Sequence, residues 1–339
     1  MKGEIVMDKV DVLNLVLCFD GTWNTSDPDE AKNSDETNVR RISKIVAEGA
    51  CEDDDGKTVF TQVEYIEGPG TKAGNKISGG LFATDLDEPV KEGYRALFKA
   101  VRKCAKSHTE LRVYLFGFSR GAYICHLFSW LLFAAGLPKT LGELDGVAQA
   151  FLDKDPKALR AKTGSAGRDR ITIQFMGLWD AVSSQHDKYK GFFNGMRSPL
   201  VKRVCHAMAA DERRPQFPVM HYLPDDSVEQ TWFPGVHSEV GGGYKDDKGL
   251  YGISLGWMVD RAREAGLRFA KLPPSPKFAF AALVPHHPLG EKSYAVRCYW
   301  PGDKLHGSLS DRTVETFRPV EFENFESDEI NIRLWRRDI

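Results

Sequence analysis

The apolar residues of this chain form short continuous runs, separated by stretches in which apolar and polar residues are mixed. The first run, VLNLVLCF at residues 12–19, is almost uninterrupted, which is typical of a strand whose sheet is covered on both faces. Less continuous runs that are also typical of strands occupy residues 59–66, 111–116, 171–178 and 230–236. The pattern therefore predicts five strands, most of which end at a turn that contains glycine or aspartate.

Between these runs, apolar residues recur at intervals of three and four, which is the spacing of one helix face. This spacing predicts helices over residues 37–47, 87–105 and 253–265. The strongly apolar residues 123–137 predict a buried helix, since they fall short of the ~20 apolar residues that cross a bilayer. Alternating strands and helices indicate an α/β fold with a mostly parallel central sheet and helices on both faces.

No internal repeat or low-complexity linker divides the sequence, which favours a single domain over residues 1–339. We assign the core to residues 12–270 and expect residues 271–339 to form a C-terminal extension packed on it. The charged residues 51–56 predict a solvated loop. The glycine-rich residues 68–86 include several apolar side chains, so they form either a lid over an apolar pocket or a surface loop docked on the core.

The chain carries almost no net charge. Its 339 residues include 46 Lys and Arg against 48 Asp and Glu, which gives a formal net charge of −2. Nucleic acid is not the expected partner, because a basic excess would be needed to neutralise its phosphates. The same balance argues against simple electrostatic attachment to an anionic lipid surface.

The cysteines and the N-terminus indicate a reducing compartment. Six cysteines are scattered without C-x-x-C spacing, so we expect neither a disulfide scaffold nor a structural zinc site. The N-terminal residues mix charges with apolar side chains and lack the pattern of a signal peptide. These features predict a cytoplasmic protein with no transmembrane segment, and we expect no metal and no cofactor.

The motif Gly-Phe-Ser-Arg-Gly at residues 117–121 stands between a predicted strand and a predicted helix. That context is the one required of a nucleophile elbow, in which a serine is held at a strained turn with glycines two residues to either side. The N-terminus of the helix that follows favours developing negative charge. Ser119 is therefore the candidate nucleophile, and the alternative is an ordinary glycine-bounded turn.

A serine hydroxyl needs a base to remove its proton and a carboxylate to orient that base. In sheets of this type the chain order is serine, acid, histidine, each at the carboxyl end of a strand. Asp180 follows the predicted strand 171–178, and His237 follows the predicted strand 230–236. Both satisfy the order and the position, so they are the candidate acid and base.

Other histidines satisfy these conditions less well. His126 falls within the apolar helix and is expected to be a packing residue, and His186 lies in a charged stretch that is expected to be exposed. His206 and His221 also follow the serine, but neither stands at the end of a predicted strand followed by glycines. His286 and His287 lie in the C-terminal segment.

Asp211 is the rival for the acid, and we expect it to form a salt bridge with Arg213 or Arg214 instead. The segment Phe-Asp-Gly-Thr at residues 19–22 also echoes the motif of phosphatases that form an aspartyl phosphate. That chemistry needs a carboxylate at position 18, which Cys18 occupies, so a phosphatase is disfavoured.

An oxyanion hole for acyl transfer combines the N–H after the nucleophile with a second one from a neighbouring loop. The first donor is Arg120. The second is Gly21 or Thr22, since the first strand is the expected neighbour of the strand that carries the serine. Asp20 is expected to support this loop by accepting hydrogen bonds. A plain turn after the first strand is the alternative.

Several phrases of the sequence occur together in one order: FDGTWN at 19–24, GFSRGA at 117–122, GLWDAV at 177–182 and WFPGVHSEVGGGY at 232–244. Together they resemble the α/β-hydrolase family of uncharacterised proteins that includes type VI secretion phospholipase effectors. The segment DERR at 211–214 looks like that family as well.

The resemblance implies an α/β-hydrolase-like fold with lid-like insertions and a Ser-Asp-His hydrolase, carried onto Ser119, Asp180 and His237. It implies a lipase or phospholipase type of esterase, with an ester or lipid as substrate and export by a dedicated secretion system as an alternative to the cytoplasm. A membrane substrate would require a local lid, a peripheral membrane contact or a protein partner. Small non-lipid esters, or a non-catalytic interaction module, are the alternatives.

Overall fold

The computed structural model describes residues 10–21, 36–69, 86–107, 109–162, 171–183, 187–189, 191–212, 214, 217–244 and 250–271, with four short strand segments between 298 and 337. Every predicted strand and helix forms, with ends within three residues of the expected ones.

The strands are β1 Val12–Phe19, β2 Gly49–Glu52, β3 Thr58–Ile66, β4 Glu110–Phe118, β5 Thr172–Trp179, β6 Val204–Ala209, β7 Val228–Phe233, β8 Cys298–Tyr299, β9 Lys304–Leu305, β10 Phe317–Val320 and β11 Arg333–Arg337. The α-helices are α1 Asn38–Ile45, α2 Asp87–Ser107, α3 Arg120–Ala135, α4 Leu141–Leu152, α5 Pro156–Lys162, α6 His237–Gly241 and α7 Leu250–Glu264.

Eight strands form the central sheet in the order β2-β3-β1-β4-β5-β6-β7-β9. All neighbours pair in parallel except β2, which pairs antiparallel with β3. The prediction of a mostly parallel sheet is therefore confirmed. Strand β4 lies between β1 and β5, with Phe19 opposite Gly117 and Phe118 opposite Trp179. The ends of these three strands consequently meet at one edge of the sheet, where parallel α/β sheets place their sites.

The core lies in two layers, one on each face of the sheet. Along β1, Leu15 and Leu17 pack in the layer that contains α2, α3 and α4, whereas Val16 and Cys18 pack in the layer that contains α1 and α7. Side chains alternate between the two faces of a strand, so an unbroken apolar run places apolar side chains in the core on both faces. Helices therefore cover both faces, as the sequence predicts.

Helix α3 is the predicted buried helix, and nearly every one of its side chains is inaccessible to solvent. It packs on the sheet beside α2 and α4, which explains why its sequence is apolar on all sides. None of the helices in the described residues combines the length and the apolar character needed to cross a bilayer.

The sequence analysis missed the central strand β6 and the short edge strands of the sheet, one of which, β2, takes up part of an expected loop. Strand β6 is fully buried, but its apolar run is interrupted by His206, a residue type that is usually exposed. In the expected loop 51–56, the first two residues instead belong to the edge strand β2, where Cys51 pairs with Val59. Short edge strands of mixed polarity give a weak sequence signal.

Two further expectations fall largely outside the described residues. Residues 70–85, which make up most of the expected lid, are not among them. Of the expected C-terminal extension, β9 pairs with β7 in the central sheet, while β10, β11 and β8 form a separate antiparallel sheet.

Candidate active site

Ser119 stands at the sharp turn between β4 and α3, at the carboxyl edge of the sheet. Its backbone has φ 57° and ψ −122°, a conformation that costs a non-glycine residue about 1–3 kcal/mol. Among the described residues, only Ser119, Lys154 and Asp180 combine a positive φ with a side chain. Two of these three are predicted site residues, so the backbone strain coincides with the candidate site.

The two glycines of the motif allow backbone segments to approach more closely than any side chain permits. A Cβ on Gly117 would lie 2.6 Å from the Cα of Ala122. A Cβ on Gly121 would lie 2.1 Å from the carbonyl oxygen of Phe19 and would collide with it. The glycines therefore allow the start of α3 to lie against the end of β1.

The backbone of Ser119 is fixed by β5 and by the residues that follow β5. Its N–H donates to the Trp179 carbonyl at 3.0 Å, and its own carbonyl accepts from Val182 at 3.3 Å. Ser119 is 5% exposed, which leaves a narrow approach from solvent. The position of the serine relative to Asp180, the residue after Trp179, is therefore set by hydrogen bonds between main chains.

Asp180 and His237 form a buried hydrogen-bonded pair. Oδ2 of Asp180 lies 2.6 Å from Nδ1 of His237, and both side chains are at most 5% exposed. The other carboxylate oxygen, Oδ1, accepts the N–H of Ala209 at the end of β6, at 2.9 Å. Because Nδ1 faces a carboxylate, it is the nitrogen that carries the proton, and Nε2 is left with its lone pair.

Two aromatic rings hold the imidazole of His237. The ring of Phe118 lies 4.6 Å from it between centroids, and the ring of Phe217 lies 4.8 Å away in an edge-on arrangement. Phe118 immediately precedes Ser119, so the histidine packs against the end of the strand that carries the serine. The structure thus brings Ser119, Asp180 and His237 to the same edge of the sheet.

Asp20 collects three hydrogen bonds at the end of β1. Its carboxylate accepts from the N–H of Gly21 at 2.7 Å, the hydroxyl of Thr37 at 2.7 Å and the hydroxyl of Tyr65 at 2.6 Å. This arrangement matches the supporting role expected of it. The amide of Gly21 is thereby engaged, so its use as an oxyanion donor requires this bond to break. Thr22, the other expected donor, lies outside the described residues.

Burial raises the pKa of Asp20 to about 6, against hydrogen bonds that favour its charge. The folded state therefore binds this proton more tightly than the unfolded chain does, and stability falls as the pH rises towards 6. Relative to Asp20→Asn, we expect the wild type to lose about 2 kcal/mol of unfolding free energy between pH 4.5 and 7.5. Urea unfolding of both proteins at the two pH values measures this, and a pH-independent difference would contradict it.

The competing histidines that the structure describes have other contacts, and His221 packs against the ring of Trp232, 5.4 Å away between centroids. His126 lies 3.2 Å from the hydroxyl of Tyr222, and burial lowers its pKa to about 4, consistent with a packing residue. Nε2 of His206 accepts the N–H of Ala181 at 3.0 Å. His186, His286 and His287 lie outside the described residues.

In the segment that contains Asp211, Arg214 pairs with Glu212 rather than with Asp211, and the expected alternative partner Arg213 lies outside the described residues. The Asp211 carboxylate accepts the N–H of Gly235 at 2.8 Å and so anchors the loop before His237. The salt bridge between Arg214 and Glu212 measures 2.7 Å. The sequence did not single out Glu212 or Phe217: Glu212 had only the DERR phrase as a signal, and Phe217 had none. In the part of the chain that the structure describes, no group of three His, Cys, Asp or Glu is placed to hold a metal ion.

The family model described as "T6SS, Phospholipase effector Tle1-like, catalytic domain" matches residues 13–261. The chain belongs to this family. The match includes all three candidate catalytic residues and confirms the resemblance found in the sequence. The family is one of hydrolase catalytic domains, which agrees with the observed α/β fold.

A curated relative and two solved structures are also similar to the chain. Uncharacterized protein YEL023C of Saccharomyces cerevisiae is 27% identical over 234 residues, which cover 62% of this chain and 33% of that protein. "Structure of the Tle1 effector bound to the VgrG spike from the Type 6 secretion system" has TM-score 0.45 and 17% identity, and covers 70% of this chain and 52% of the other. An uncharacterized protein from Pseudomonas aeruginosa has TM-score 0.49 and 19% identity, with 77% and 47% covered. The chain thus spans one third of the curated relative and about half of each solved chain.

Proposed function

We propose that this protein is a serine hydrolase that cleaves carboxylic ester bonds of phospholipids through Ser119, His237 and Asp180. The observation that carries the proposal is the 2.6 Å bond between Asp180 and His237. The imidazole packs on Phe118, the residue before Ser119, and Ser119 stands at a strained turn between a strand and a helix. Membership in a family described as phospholipase effector catalytic domains supports the substrate class.

In the first half of the reaction, Nε2 of His237 removes the proton of the Ser119 hydroxyl while Oγ attacks the ester carbonyl. Asp180 keeps the imidazole in the correct tautomer and stabilises the imidazolium that forms. Collapse of the tetrahedral intermediate breaks the ester bond. The proton on Nε2 passes to the leaving alcohol, and an acyl group remains on Ser119. In the second half, His237 activates a water molecule that releases the fatty acid.

The negative charge on the substrate oxygen needs preorganised donors. The N–H of Arg120 is the first, since it opens α3 directly after the serine, where the helix dipole also favours an anion. Gly21 or Thr22 supplies the second N–H. In this architecture the second donor comes from a loop near the nucleophile, and residues 21 and 22 follow β1, which pairs with the strand that carries Ser119. For Gly21 this requires release of its amide from Asp20, which substrate binding would have to bring about.

We also propose that the protein is exported by a type VI secretion system, because its family is one of effectors of that system. A phospholipid substrate then lies in a membrane that the enzyme meets after export.

Product analysis with defined substrates tests this proposal. Wild-type protein is incubated with phosphatidylglycerol or phosphatidylethanolamine vesicles and, separately, with p-nitrophenyl butyrate, and products are identified by mass spectrometry. We expect free fatty acid and lysophospholipid from the vesicles, with neither formed by Ser119→Ala. Ser43→Ala, which removes a hydroxyl bonded within α1, is the matched control and should retain activity. Hydrolysis of the soluble ester alone would mean that the substrates are small esters and not phospholipids. Hydrolysis that persists in Ser119→Ala would overturn the mechanism.

A further inference from the structure

The segment that follows β6 contacts the backbone of His237 through a buried carboxylate. Oε2 of Glu212 accepts the N–H of His237 at 3.3 Å. The same carboxylate is bound at both oxygens by the Arg214 guanidinium, at 2.9 Å from Nε and 2.7 Å from Nη2. Glu212 is 2% exposed. This is therefore a bidentate ion pair between a buried carboxylate and a partly buried guanidinium, a geometry that makes such pairs strong and directional.

The same ion pair reaches the ring of His237 by a second route. The guanidinium carbon of Arg214 stands 3.7 Å from the centroid of the Phe217 ring, as in a cation–π contact. Phe217 in turn meets the imidazole edge-on. Glu212 thus holds the backbone of the histidine, and Arg214 holds one of the two rings that enclose its side chain.

Both partners of the ion pair are charged at neutral pH. Burial opposes the charge of Glu212, but hydrogen bonds from Arg214 outweigh burial and keep its pKa below the usual range. Burial likewise opposes the charge of Arg214, and its bonds to Glu212 raise its pKa above the usual value. Their opposite charges largely cancel at the histidine, so loss of one partner leaves the other unbalanced there.

We propose that Glu212 and Arg214 are positioning residues for His237, which fix its imidazole beside Ser119 and keep its proton affinity suited to a general base. The inference rests on the proposed function, since it concerns the base of that reaction. It extends the site to two residues that contact neither the substrate nor the reacting atoms.

Other titratable groups surround the histidine, and they are unchanged in the variants below. Asp180 faces Nδ1 from the end of β5. Glu239 on α6 accepts the N–H of Val236 at 2.9 Å, one residue before His237. Tyr244, beyond α6, lies close enough to interact with Glu212 and Arg214, and burial raises its pKa, so it is neutral at neutral pH.

The test compares Glu212→Gln with the double variant Glu212→Gln/Arg214→Gln. The pH dependence of kcat/KM is measured on p-nitrophenyl butyrate. In the single variant, the unbalanced guanidinium disfavours the imidazolium, so the acidic limb should move down by about 0.5–1 pH unit. In the double variant the site is neutral again, and the limb should return to within about 0.3 unit of the wild type. We expect kcat to fall by about tenfold in the single variant.

A merely structural role would give a different result, because two substitutions would damage the fold more than one without restoring the pH profile. Glu229→Gln is the matched control. Glu229 lies at the start of β7 and forms an ion pair with Arg261 of α7, so its replacement should leave the acidic limb unchanged. If Glu212→Gln fails to fold, Arg214→Gln replaces it. The unbalanced carboxylate should then move the limb upward, and no shift or a downward shift would overturn the inference.

The pKa of His237 is followed independently by NMR of histidine-labelled protein, with its signal identified by its loss in His237→Asn. If the NMR pKa moves as expected while the rate profile does not, His237 is not the base and the proposed function is wrong. If neither moves while hydrolysis still depends on Ser119, the proposed function stands and the inference is wrong. Parallel shifts in both measurements support the two together.

Discussion

Replacement of Ser119 by alanine is expected to lower kcat for ester hydrolysis by at least about 10⁴-fold. Alanine removes the oxygen that, in the proposed mechanism, forms the acyl-enzyme, whereas the groups proposed to bind substrate and stabilise the oxyanion remain. The backbone of residue 119 is held by Trp179 and Val182 through main-chain hydrogen bonds, which the substitution leaves intact. The melting temperature should therefore stay within a few degrees of the wild type.

Initial rates on p-nitrophenyl butyrate, with circular dichroism melting of each protein, measure this effect. A tenfold loss or less would mean that Ser119 is not the nucleophile. A large loss accompanied by unfolding would be uninformative about chemistry, so Ser119→Cys serves as a second variant. It keeps a nucleophilic atom of similar size and should retain covalent labelling by thiol-reactive esters even where turnover is slow.

Replacement of Asp180 by asparagine is expected to lower kcat by about 10³–10⁴-fold with little change in KM. The reason lies in the bond that Ala209 donates to residue 180. An asparagine oxygen takes that bond, which turns the amide NH₂ towards Nδ1 of His237. Nδ1 must then accept, the proton moves to Nε2, and the imidazole presents the wrong tautomer to the serine.

Steady-state kinetics of Asp180→Asn give kcat and KM separately. Asp225→Asn is the control, because it alters a surface carboxylate paired with Arg197 before β7 and should behave as the wild type. Near-normal activity in Asp180→Asn would show that Asp180 does not orient the base. A rise in KM with unchanged kcat would instead point to a role in binding.

The sequence predicted the parts of this molecule that depend on local patterns. Runs rich in apolar and β-branched residues predicted β1, β3, β4, β5 and β7, and the most continuous run belongs to β1, which is buried on both faces. The glycines around Ser119 predicted a strained turn between a strand and a helix, and in the structure they allow α3 to approach β1 where only glycine fits. Chain order and strand ends then selected Asp180 and His237, which the structure places in contact.

The parts that the sequence missed depend on contacts between distant segments. The polar ring of His206 obscured β6 in the sequence. In the structure its Nε2 accepts the N–H of Ala181, which lies 25 residues away in the chain. Strand β6 leads to Ala209 and then to Glu212, so the missed strand also concealed the support of His237. The bond between Gly21 and Asp20 depends on a side-chain rotamer and gives no pattern in the sequence.

Covalent labelling by a fluorophosphonate probe tests the central claim most directly, because it reports the activated serine without any assumption about the substrate. The wild-type protein is labelled, digested and analysed by mass spectrometry, with Ser119→Ala and His237→Ala in parallel. We expect one phosphonylated residue, Ser119, no labelling in Ser119→Ala, and labelling slowed by at least about 10²-fold in His237→Ala. Labelling at another residue, or labelling of His237→Ala at the wild-type rate, would contradict the proposed site.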